Sequence, residues 1–78
     1  MKILALDMTQ GAMYLRSGLE LANVRTVWVR GQLMLGMDFE GDKASKVQAE
    51  WNGPEVPMVA PVDYRRLILS LSAQVGQV

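Results

Sequence analysis

The chain has no cysteine and no histidine. Without thiols it forms no disulfide, holds no zinc through sulfur and runs no thiolate chemistry. Without imidazole it lacks the commonest general base and the commonest transition-metal ligand. Charge of one sign is missing too: eight Lys and Arg balance eight Asp and Glu. No global field therefore draws nucleic acid, and phosphate binding would need a local patch. Long apolar runs are also lacking. Ile3 to Leu6 is stopped by Asp7, too short for a signal-peptide core, and nothing later approaches a membrane span. A reducing cytoplasm is the expected location, with no membrane partner.

What is present is apolar side chain, 50% of 78 residues. A single domain of this size, residues 1–78, buries only about 60% of the surface its unfolded chain exposes. A monomer hides such a content with difficulty, and a second copy is the simplest cover.

Val24 to Phe39 (VRTVWVRGQLMLGMDF) reads as two strands joined at Gly31-Gln32, a pair suited to a two-residue hairpin turn. Counted outward from that turn, Trp28 faces Leu35 and Arg25 faces Asp38, an opposite-charge cross-strand pair. The same register gathers Val24, Trp28, Leu35, Met37 and Phe39 on one face. The other face, Val27, Val29 and Met34, is apolar as well and is the expected dimer interface. Trp28 is expected in the core.

Lys2 to Met8 alternates as a first strand. Ala12 to Ala22 fits either of two patterns. As strand, Met13, Leu15, Leu19 and Leu21 share a face. As helix, Met8, Ala12, Leu15, Leu19 and Ala22 form a stripe capped by Thr9. Gly18 weakens the helix and the alternation is cleaner, which favours strands broken near Ser17-Gly18. Glu40 to Ser45 is a polar loop. Lys46 to Trp51 alternates again, with Val47, Ala49 and Trp51 inward. Glu55 to Ala60 is a short strand, and Pro57 within it implies an edge position or a missing ladder bond. From Pro61 the period becomes helical: Tyr64, Leu67, Ile68, Leu71 and Val75 share a face, and the helix runs from about 61 to 75.

This order resembles the carbon storage regulator family, CsrA and its Rsm relatives. The resemblance lies in the N-terminal MKILAL leading to a Gly-containing turn, in VRTVWVRGQLMLGM around a Gly/Gln turn, and in EVPMVAPVDYRRL running from strand into helix. It implies a mostly β fold with one C-terminal helix. That fold is a small five- or six-stranded antiparallel β domain, intertwined with a second copy as a homodimer. It also implies binding of GGA-containing RNA loops and translational regulation. The family's basic pair at the end of the first strand corresponds here to Leu6 and Asp7, and its basic residue at the end of the fifth strand to Ala60. An RNA surface would therefore have moved.

Arg65-Arg66, together with Arg16, Arg25, Arg30, Lys43 and Lys46, could form a phosphate-binding stripe, and Arg16, Arg30, Arg65 and Arg66 are the candidates for RNA contact, since Arg25 already has Asp38. Asp38, Glu40 and Asp42 have the spacing that opens a calcium loop, but Lys43 and Ala49 occupy its glycine and bidentate-Glu positions, so a solvated turn is the reading. The carboxylates Asp7, Glu20, Glu50 and Glu55 are scattered, and with no nucleophile motif the chain is not expected to be an enzyme, to carry a catalytic residue or to need a metal or cofactor. Trp51 beside a turn suits base stacking or a partner contact. Two functions follow. One is an RNA-binding translational regulator with an altered surface, and the other is a protein-binding module or small inhibitor on the same scaffold.

Overall fold

Asp7 ends the first strand and starts a helix. Its extended backbone and its carboxylate, which accepts a hydrogen bond from Thr9 N at 2.7 Å, make it an N-cap. The computed structural model describes residues 2–54 and 58–75. Their order is β1 (Lys2–Ala5), α1 (Met8–Arg16), β2 (Glu20–Val29), β3 (Gln32–Glu40), α2 (Ala44–Trp51) and α3 (Pro61–Val75). The sheet is antiparallel throughout, in the order β1-β3-β2.

The fold is therefore mixed α/β, with three helices and three strands among the described residues, not a mostly β domain with one C-terminal helix. The five- or six-stranded, mostly β arrangement implied by the carbon storage regulator resemblance is not adopted. Two segments account for the difference. Ala12 to Arg16 belongs to α1, because the Asp7 cap sets the helix going before the alternating stretch begins. Gly11 inside that helix is there for proximity. A Cβ on it would stand 3.0 Å from Leu67 Cδ2 and 3.2 Å from Met37 Cε. Lys46 to Trp51 belongs to α2, where Ala44 and Val47 are buried and Trp51 packs half-buried against the core. Positions 44, 47 and 51 share a helical face, whereas 47, 49 and 51 share a strand face. In eight residues both patterns fit, and Ala49 proves exposed.

Of the expected strand over Glu55 to Ala60, residues 55–57 lie outside the described residues, and Met58 to Ala60 are in no strand. The C-terminal helix α3 starts with a reciprocal cap. Asp63 N donates to Ala60 O, and the Asp63 carboxylate accepts from Ala60 N, both at 2.9 Å. Those bonds account for Asp63 being buried. Leu67 is fully buried, with Tyr64 and Leu71 against it, but Ile68 is 53% exposed although it was expected on the docked face.

One face of the sheet carries the core. Ile3, Ala5, Met37 and Phe39 pack against Ala12, Met13 and Tyr14 of α1, Ala44 and Val47 of α2, and Leu67 of α3. Tyr14 meets Phe39 edge to face, ring centroids 5.6 Å apart. Gln10 Nε2 donates to Tyr14 Oη at 2.7 Å, and burial raises the Tyr14 pKa. All three helices therefore lie on one side. The other side of the sheet, with Leu4, Val27 and Met34, has no layer over it among the described residues. No helix among the described residues is long and apolar enough to cross a membrane.

Candidate functional site

The hairpin β2–β3 turns at Arg30-Gly31, one residue earlier than its sequence suggests. Both turn residues have positive φ, 51° and 78°. That is the requirement of a type I′ turn, in which Gly31 is at ease and Arg30 is not. The resulting pairs are Trp28 with Leu33, Val27 with Met34, Thr26 with Leu35 and Val24 with Met37. Because the opposing strand shifts by two residues, every side chain keeps its expected face while changing its partner. Arg25 now stands opposite Gly36, and it reaches Asp38 along the diagonal.

The hairpin is longer than the rest of the sheet. β1 pairs only with Met37 to Glu40, so Gln32 to Gly36 have a neighbour on the β2 side alone. The helices stop short as well. On the core-facing side of this projecting end, Trp28 is 74% exposed, Leu33 56% and Leu35 46%. Trp28 is thus not a core residue as expected. The expected dimer residues Val27, Val29 and Met34 lie half-buried on the opposite face of the same projection. Both faces of the hairpin end are apolar, and its outer edge is an unpaired strand.

The four arginines assigned to an RNA surface are distributed over three elements. Arg16, at the end of α1, donates its guanidinium to Met58 O at 2.6 Å. Arg30 sits in the hairpin turn, about 20 Å along the ladder from Met37, where the helices begin to cover the sheet. Arg65 and Arg66 are neighbours in the second turn of α3 and both exposed. Only the last two stand together.

Acidic and polar groups do not converge either. Among the described residues no three His, Cys, Asp or Glu side chains are placed to hold a metal ion. Asp38 and Glu40 are strand residues, not part of a calcium loop, and Asp38 is held by Arg25 and Asn23. A surface depression of about 380 Å³ is lined by Met13, Arg16, Ser17, Glu50 and Met58, and another of about 220 Å³ lies between Ser17-Gly18 and Gly41-Lys43. Both are open to solvent, and neither pairs two carboxylates. Leu33 and the free edge of β3 were not singled out from the sequence. The signal was the shortness of the first strand, since Asp7 limits how much of β3 it can cover. Compared with known proteins, the chain matches no protein-family model, no curated protein and no solved structure.

Proposed function

We propose that this chain is a non-catalytic protein-interaction module whose recognition element is the projecting end of the β2–β3 hairpin. The observation that carries this reading is the exposure of Trp28, Leu33 and Leu35 on one face of a strand pair that no helix among the described residues covers. Aromatic and aliphatic side chains grouped in this way, with no charge among them, fit the apolar centre of a protein interface. An RNA surface is less well supported. Arg16 is engaged by a backbone carbonyl, Arg30 is distant, and Arg65 with Arg66 form a patch of two cations.

A photoreactive residue placed separately at Leu33, at Arg66 and at Gln48 distinguishes the readings. The module reading expects a discrete protein adduct from position 33, which protease removes and nuclease does not. A nuclease-sensitive adduct from position 66, with none from position 33, would replace it with RNA binding. The salt dependence of RNA binding would then follow, since each phosphate-contacting cation contributes a slope of about −0.7 in log affinity against log salt.

A further inference from the structure

The five residues Gln32 to Gly36 form an edge of an unusual kind. Natural sheets protect their edges with lysine, proline, a bulge or a covering segment. The segment QLMLG has no lysine, no proline and no bulge, and no described strand pairs with it on the side away from β2, although Gly36 at its end is buried with Leu4 against it. The outer edge of β2 differs: its register is broken between Leu21 and Asn23, and it carries Glu20 and Arg25. We propose that the free edge of β3 pairs with the same edge of a second copy, making a continuous sheet in the order β2-β3-β3-β2 across a two-fold axis at Met34. This proposal rests on the hairpin being the interaction surface and names its occupant.

Three features favour a second copy over a foreign strand. The first is register. A two-fold axis perpendicular to the sheet requires facing residues to share a face, so only pairings centred on a residue are allowed. Centring on Met34 pairs Gln32 with the partner's Gly36 and Leu33 with the partner's Leu35, so that Gln32 to Leu35, the exposed and half-buried residues of this edge, are all used. A shift toward Asp38 runs the partner into Ala5, which already pairs with Met37. A shift toward the turn leaves part of the edge unpaired.

The second is charge. In this pairing the partner's strand starts where β1 ends, so the partner's turn abuts Leu6-Asp7. A cation thus arrives beside an anion, Arg30 beside Asp7, twice in the dimer. Both side chains are exposed, and neither has an ion-pair partner within its own described chain. The third is side-chain chemistry. The antiparallel arrangement keeps like faces together, so Leu33 and Leu35 of each copy form one apolar patch beside the two Trp28 rings. Met34 meets the partner's Met34 on the other face, beside Val27.

The chain's lack of cysteine makes the test direct. Met34→Cys and Gln48→Cys, each treated with a short bismaleimide, are compared in wild-type background at micromolar concentration. Covalent dimer is expected from position 34 and not from position 48. In parallel, sedimentation measures the dimer constant for Arg30→Asn, Asp7→Asn and the double variant. Asn-Gly suits the type I′ turn and Asn caps a helix as well as Asp, so both changes remove charge without removing local structure. Each is expected to weaken the dimer about five-fold, and the double variant no more than either alone, as for a coupled pair. A chain that stays monomeric, a dimer that does not cross-link at position 34, or effects of Arg30 and Asp7 that simply add would each overturn the pairing. A monomer that still yields a protein adduct from position 33 would leave the hairpin as an interaction surface for another protein.

Discussion

Arg25 reaches Asp38 across the diagonal of the β2–β3 ladder, Nε to Oδ2 at 2.9 Å and Nη2 to Oδ1 at 3.3 Å, while standing directly opposite Gly36. Asn23 donates to the same carboxylate at 3.3 Å. The hydrogen bond from Arg25 lowers the Asp38 pKa, helped by Asn23 and by the charges of Arg25 and Lys2 and opposed by partial burial.

A depressed carboxylate pKa in the folded state contributes stability above the unfolded value and loses it as pH falls through the folded value. Asp38→Asn should therefore be less stable than wild type at neutral pH. The difference should shrink as pH drops below the ordinary carboxylate value of about 4 and vanish in stronger acid. Urea titrations of both proteins across that range measure it. A stability gap that stayed constant with pH would show that the pair contributes nothing through ionisation.

Gly11 gives a second test. An exposed helical glycine replaced by alanine gains about 1 kcal/mol. Here the added methyl enters a space bounded by Leu67 Cδ2 at 3.0 Å and by Met37 Cε and Sδ at 3.2 and 3.3 Å. Those atoms are ends of flexible side chains, so they yield at some cost. Gly11→Ala should come out within about 0.5 kcal/mol of wild type, and Gly11→Val should lose about 1–3 kcal/mol through overpacking. Denaturant unfolding decides between this and the full gain expected of an open helix.

Leu67 and Ile68 are adjacent and of equal size, yet one is buried and the other faces solvent. Leu67→Ala should cost about 2–5 kcal/mol, as for other truncations in a packed core. Ile68→Ala should stay within about 0.5 kcal/mol. Equal losses at the two positions would place α3 in a different rotation against α1.

Much of the hairpin was legible in the sequence, and less of its surroundings. Alternation alone assigns Val24, Trp28, Leu35, Met37 and Phe39 to one face, and that face is the one observed. The turn was misplaced by one residue because Arg30 in a left-handed conformation is rarer than glycine followed by any residue. The resulting shift is even, so it exchanges partners and spares the faces. The alternation of α1 and α2 misled for a different reason: eight or nine residues are too few to separate periods of 2 and 3.6. The deciding groups were the Asp7 cap, seen only as a strand residue, and the tertiary neighbours of Gly11. Burial of Trp28 could not be read at all, since it depends on where the helices end.

The projecting hairpin end as an interaction surface is tested most directly by amide hydrogen exchange over Leu33 to Gly36, followed as the protein is concentrated from nanomolar to high micromolar. Those amides in this stretch that point away from β2 have no strand partner among the described residues of the single chain. Edge pairing predicts that they exchange freely when dilute and become protected with concentration, while Val47 in α2 is unchanged. Fast exchange of the same amides at every concentration would contradict pairing of this edge between copies.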